Sequence, residues 1–283
     1  MKNVIVGQTF DEERALYNLK NTEVRDCVFA GPADGESALK EAREVLVANC
    51  RFSLRYPFWH TEGFTVESCT LDEKTRAPIW YSKDGSLRNC RIESVKCLRE
   101  CQRVRFADCE VRSPEFGWRC REIDMDDCRM AGEYFLFETK GGRISRLTLE
   151  GKYSFQYTER LTVEDSQLYT KDAFWHSEGC TVKNCTLRGE YLGWYSKGLT
   201  LIGCHIIGTQ PFCYCEDLTL VDCTMEDCDL SFEYSTVNAT VKGEILSVKN
   251  PRAGRIVADG YGQIILEDSV VENECRIAVR KEA

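Results

Sequence analysis

Glu100, Arg119 and Glu138 follow one another at intervals of 19 residues, and two nearly identical hexapeptides, Phe58-Trp59-His60-Thr61-Glu62-Gly63 and Phe174-Trp175-His176-Ser177-Glu178-Gly179, each carry a histidine. Paired carboxylates are the equipment of glycoside hydrolysis, in which one protonates the leaving oxygen while the other attacks or activates water. If successive 19-residue units stack as parallel strands about 4.8 Å apart, Glu100 and Glu138 stand about 9.6 Å apart. That is near the upper end of the roughly 6.5–9.5 Å between carboxyls in an inverting hydrolase. Glu100, Arg119 and Glu138 are therefore the catalytic candidates, for a glycoside hydrolase or a polysaccharide lyase-like activity. The simpler reading is a surface ion-pair ladder.

A second group could bind rather than react. Phe58, His60, Tyr81, Tyr157, Asp172, Phe174, His176 and Tyr195 combine aromatic rings with polar tips. A sugar stacks its CH face on such rings while its hydroxyls seek polar partners. Lys171 and Asp172 near His176 could form an acid/base group, although charges of this kind more often make a solvated rim. Metal ligation is not expected. Cys97, Cys101 and Cys120, or Cys213 and Cys215, do not offer a tetrahedral set. No phosphate loop, dinucleotide fingerprint or Ser-His-Asp order occurs, and no cofactor is expected.

What positions these residues is a repeat. Anchoring on Cys69, equivalent positions fall at Cys27, Cys50, Cys90, Cys109, Cys128, Leu147, Ser166, Cys185, Cys204 and Cys223, and the seven steps from Cys90 onward are 19 residues each. A fixed period of this length marks a solenoid. Five and three residues before the anchor stand apolar pairs such as Phe64/Val66, Val104/Phe106 and Leu199/Leu201. Their period of two turns one strand face inward. Just before the anchor comes Asp, Asn or Ser, a residue type that tolerates a left-handed corner.

The expectation is an all-β, single-stranded right-handed parallel β-helix with about 19 residues per coil and about 12 coils. It is read as a single domain over 1–283: an N-terminal cap at 1–14, regular coils at 15–226, and less regular coils with a C-terminal cap at 227–283. GESALKEAREV at 35–45 has helical composition, but Val45 and Val47 fall in register with Phe64 and Val66, which favours strand.

Nine residues before the anchor stand Asn18, Glu41, His60, Tyr81, Glu100, Arg119, Glu138, Tyr157, His176, Tyr195 and Tyr214. Charged and hydroxylated groups in such a mixture cannot be buried rung after rung, so this column is expected in solvent. In a regular strand the residues two earlier, Phe58 and Phe174 among them, share that face and form an exposed apolar strip. The intervening Trp59, Trp80, Trp118, Phe137, Trp175 and Trp194 would then point inward. A bulge would reverse the two assignments.

The strings GESALKE at 35–41, LRYPFWH at 54–60, RAPIWYS at 76–82, EFGW at 115–118, GKYSFQY at 151–157, TKDAFWHSE at 170–178, GEYLGWYS at 189–196 and GTQPFCYCE at 208–216 span nearly the whole chain. In these the sequence resembles an uncharacterised bacterial family, a domain of unknown function, of pectin-lyase-like right-handed β-helix proteins. The resemblance implies the fold and brings no substrate or catalytic residue. Neither the paired-Asp motif of β-helix polygalacturonases nor the clustered Asp and Arg of calcium pectate lyases is found.

A net charge of −9 and a pI near 5.1, without a Lys/Arg cluster, argue against nucleic acid or an anionic membrane as partner. No export signal or run of 18 apolar residues is visible, so a soluble cytoplasmic protein is expected. The 17 cysteines are then best read as reduced thiols acting as small buried hydrophobes. Two functions stay open: carbohydrate binding or processing through the aromatic and charged face, with an oligosaccharide as partner, or a non-catalytic scaffold whose aromatic face is a homo-oligomer or partner interface.

Overall fold

The computed structural model describes residues 3–280. The chain packs as two units, Met1–Leu147 and Thr148–Ala283, each taken by itself below. Both are parallel β-solenoid, about 15 turns in all with about 19 residues per turn.

In the first unit, strand Glu62–Glu67 pairs in parallel with Lys83–Arg88, which pairs with Gln102–Ala107. Register places Phe64 beside Gly85 and Gly85 beside Val104, and likewise Val66, Leu87 and Phe106. The alternation is that of a strand buried on one face: Phe64 and Val66 are buried while Glu67 is exposed. Strand Arg43–Ala48 joins this ladder, Val45 beside Phe64 and Val47 beside Val66, as the period-two reading requires. The corner before each anchor is left-handed at Asp26, Asn49, Ser68, Asn89, Asp108 and Asp127, with φ between 51° and 55°. Past the corner, short strands such as Thr70–Leu71, Arg91–Glu93 and Glu110–Arg112 turn Leu71, Ile92 and Val111 into the core.

The second unit repeats this with Thr162–Glu164, Thr181–Lys183, Thr200–Ile202 and Leu218–Glu226 stacked in register. The turns outnumber the twelve expected because both terminal segments are themselves coil. Asn3–Val6 pairs with Thr22–Arg25, and Thr9–Phe10 with Val28–Phe29. At the other end Thr236–Lys242, Ala253–Ala258 and Arg276–Val279 pair in succession, at repeats that drift away from 19 after a register shift between Leu220 and Cys223. Losing the period hides a turn from the sequence without removing its hydrogen bonds.

Inside each unit, phenylalanines stack along the axis. Phe29 and Phe52 lie 4.4 Å apart with rings inclined by 4°, and Phe155 and Phe174 lie 4.7 Å apart at 11°. Sixteen cysteines are buried, Cys275 is partly buried, and all are free thiols. No helix of the described residues is long and apolar enough to cross a membrane.

Candidate functional site

The column nine residues before the anchor is where the backbone departs from a strand. Asn18, Glu41, His60, Tyr81, Glu100, Arg119, Glu138, Tyr157, His176, Tyr195, Tyr214 and Tyr234 all have φ between 50° and 62°. A left-handed residue ends the alternation that extended backbone imposes. The side chain preceding it and its own side chain then both face outward, and the residue two before it goes into the core. Phe58 and Phe174 are accordingly 0% and 1% exposed. They are core residues, which corrects their assignment to a binding surface.

The tryptophans, assigned inward under one arrangement, lie half-buried on the outside together with the His/Tyr column. Four of the five indole N–H groups donate to backbone carbonyls of a neighbouring turn, Trp59 to Ala77 at 2.8 Å, Trp80 to Lys96 at 2.9 Å, Trp175 to Tyr191 at 2.6 Å and Trp194 to Gln210 at 2.7 Å, whereas that of Trp118 is buried with no acceptor among the described residues. Trp59 and Trp80 stack at 5.3 Å and 3° in the first unit, Trp175 and Trp194 at 5.4 Å and 4° in the second.

In the first unit the outward column is short on aromatics. His60 and Tyr81 stack at 5.0 Å, and the next rungs carry Glu100, Arg119 and Glu138. The Arg119 Nε–H donates to Glu138 Oε2 at 2.8 Å, and Glu100 lies 3.7 Å from Arg99. The guanidinium of Arg99 in turn lies over Trp80 and Trp118, at 5.1 and 5.7 Å from their ring centres. Both carboxylates thus sit in exposed ion pairs. Charges oppose one another from turn to turn elsewhere on this unit too, Lys83 with Glu62 at 3.1 Å and Arg103 between Asp84 and Glu122. Opposite charges on neighbouring rungs stabilise the stack modestly. Surface depressions of this unit include ones lined by Arg105, Asp124, Arg143 and Arg146 and by Glu67 and Arg88, neither of which includes Glu100 or Glu138 in its lining.

In the second unit the column becomes a stack of rings. Tyr157 and His176 lie 4.9 Å apart at 9°, His176 and Tyr195 5.0 Å at 8°, Tyr195 and Tyr214 4.8 Å at 11°, and Tyr214 meets Tyr234 at 5.7 Å with a tilt of 45°. Tyr157 is 45% and Tyr195 40% exposed. Trp175 and Trp194 present their rings edge-on to Tyr195. Burial, and then the nearby Glu233, push the Tyr214 phenol above its ordinary range. Lys249 Nζ meets Glu233 at 2.8 Å beside the end of the stack.

Asp172 is buried, and that burial, with Glu190 adding and Lys171 opposing, raises its carboxyl above the usual aspartate range. Among the described residues no ion pair within 4 Å joins it to Lys171 or His176. His60 and His176 belong to different units, and His205 pairs with Glu226 at 3.0 Å. Tyr214 and Tyr234 extend the stack beyond the predicted residues. Tyr214 occupies the column in sequence, and Tyr234 is marked only by the likeness of FEYS at 232–235 to FWHS. No group of three or more metal-ligating side chains converges among the described residues.

Among curated protein sequences none matches this chain. Solved structures similar to it include PfbA, a surface adhesin of Streptococcus pneumoniae, at 9% identity over 89% of this chain and 76% of that one, with a TM-score of 0.38. Tailspike protein 3 of bacteriophage CBA120 is 11% identical over 98% of this chain, which spans 52% of the tailspike, with a TM-score of 0.44. The A-module of the Azotobacter vinelandii mannuronan C-5 epimerase AlgE6 is 9% identical over 99% of this chain and 91% of the module, with a TM-score of 0.40. None of these likenesses bears on what this chain binds or does. Residues 3–278 match the family described as protein of unknown function (DUF3737), and the chain belongs to that family, whose fold here is a parallel β-helix.

Proposed function

We propose that the outward ring column of the second unit is a non-catalytic binding surface for an uncharged oligosaccharide. The observation that carries this reading is the parallel stack Tyr157, His176, Tyr195 and Tyr214, which offers one hydroxyl or imidazole nitrogen per rung at a repeat of 4.8–5.0 Å. An extended glycan presents hydroxyls at a regular repeat along its length. Rings held by stacking on one another have little rotamer freedom left to lose on binding. The flanking column, Glu159, Glu178, Lys197 and Glu216, carries three carboxylates to one ammonium, which disfavours a polyanion as ligand. Glu100, Arg119 and Glu138 have no part in this reading, because their charges are engaged with arginines or with each other. It is a reading for a cytoplasmic protein in contact with intracellular oligosaccharide.

One feature favours a second reading. The ring faces are covered by their neighbours, so that face-to-face stacking of a sugar is left to the end of the column. Tyrosine edges and half-buried tryptophans are also what a subunit contact uses. A panel of neutral oligosaccharides should be titrated into the protein and into Tyr195→Ala and Tyr81→Ala, with sedimentation on the same samples. Glycan binding weakened about tenfold or more by Tyr195→Ala, and little by Tyr81→Ala, supports the oligosaccharide surface. No binding, together with an oligomer that Tyr195→Ala disperses, replaces it with the subunit contact.

A further inference from the structure

We infer that the thiols of the first unit form a site for a soft monovalent cation of the Cu(I) or Ag(I) class, each ion held in line between the sulfurs of two successive turns. Cys27, Cys50, Cys69, Cys90, Cys109 and Cys128 occupy the same place on six successive turns, are each at most 3% exposed, and are all free. Each thiol has the next as its electrostatic or hydrogen-bonding neighbour along the row.

Geometry selects the chemistry. In an in-register parallel stack every atom of one turn is repeated about 4.8 Å away in the next. Neighbouring Cβ atoms at that spacing lie beyond the roughly 3.5–4.5 Å that a disulfide needs. Two metal–thiolate bonds of about 2.3 Å in line span about 4.6 Å, which matches the rung. No third ligand converges among the described residues, so a tetrahedral zinc set is not on offer, whereas soft thiolate pairs suit Cu(I). The exchange is balanced without any redox step: one cation and two thiols give a linear bis-thiolate of net charge −1 and release two protons. Backbone donors are already aimed at the sulfurs that would carry the charge. The Cys27 N–H donates to Cys50 Sγ at 3.4 Å and the Cys50 N–H to Cys69 Sγ at 3.3 Å.

Six thiols taken in neighbouring pairs hold three ions. Replacing Cys50 and Cys109 leaves only Cys69 with Cys90 as a pair, so the column should then hold one. Cys101 with Cys120, and Cys204 with Cys223, are placed alike and add ions of their own, which makes the difference between proteins the quantity to read. Alanine is the substitution of choice because Leu147, at the same place one turn on, shows that an apolar side chain is accepted there. Reduced full-length protein should be titrated with Ag(I) in chloride-free buffer containing excess glutathione. Bound ions are counted by native mass spectrometry, and the far-UV signal is followed alongside. The expected result is two fewer ions in the folded C50A/C109A variant than in the parent, with Cys97→Ala unchanged. Equal uptake by parent and variant, no retention against glutathione, or uptake only as the β-sheet signal collapses would each overturn the assignment. If C50A/C109A fails to fold, C50A alone should lose one ion.

Discussion

The two copies of the FWH motif reach the same arrangement of side chains over different backbones. Phe58–Trp59 is a strand, paired in register with Ile79–Trp80, and the Phe58 N–H donates forward to Pro78 O at 2.8 Å. In the second copy Asp172, Phe174 and His176 are left-handed at alternate positions, and the Phe174 N–H donates backward to Ser154 O at 2.9 Å. The peptide before the phenylalanine is therefore turned over between the copies. In both, Phe enters the core and Trp and His stay outside.

The neighbouring turns account for the difference. A flipped peptide must meet flipped peptides above and below, or like groups would face one another across the rung. In the first unit the change comes at Gly117, φ 76°, whose N–H reaches back to Leu98 O while the Trp118 N–H shares that acceptor. In the second unit Gly193, φ 73°, stands one rung from Phe174 and Phe212 and takes the left-handed form without penalty. Backbone conformation here is a property of the column, imposed on each hexapeptide by its stack.

If side-chain placement matters more than backbone, Phe58→Ala and Phe174→Ala should cost alike, about 3–5 kcal/mol each in urea unfolding. A cost confined to one copy would break the equivalence. Gly193→Ala comes next. Its new Cβ would fall 2.6 Å from Phe212 Cδ1, so about 1–3 kcal/mol for overpacking adds to the left-handed penalty of about 1–2 kcal/mol. Tyr195→Ala should lose about 0.5–1.5 kcal/mol of stacking in addition to its buried area, against near neutrality for Glu100→Ala in the same column of the first unit.

The Asp172 carboxyl is raised by burial, so its protonated form favours the folded state and that contribution is lost as pH rises through the folded value. Asp172→Asn should therefore raise Tm near pH 7, and the gain should vanish well below about pH 3.9 in a series of thermal melts. The smallest effect belongs to Arg119→Ala, about 0.2–1 kcal/mol, fading with added salt as an exposed pair does.

Much of this was legible in the residues. Period 19, the apolar pair before the anchor and the Asx corner specify coil, inward face and turn, because each is a side-chain requirement that repeats. The outward column was legible for the same reason. Left-handed backbone at Tyr81, Glu100 or Arg119 was not, since these residue types carry no left-handed signature and only the stack holds them there. Extending strand alternation across that residue placed Phe58 and Phe174 in solvent. The spacing places Glu100, Arg119 and Glu138 in one column, and only atomic positions reveal that Arg119 and Glu138 share a 2.8 Å hydrogen bond while Glu100 lies beside Arg99.

The left-handed column has a bearing on how such a chain can change. A residue there answers to a backbone angle and to its two neighbours along the stack, and hardly at all to the volume of the interior. Imidazole, phenol, carboxylate and guanidinium all occur at this one position of the repeat. The solenoid thus carries a strip whose chemistry can be rewritten letter by letter while the core beneath keeps its text.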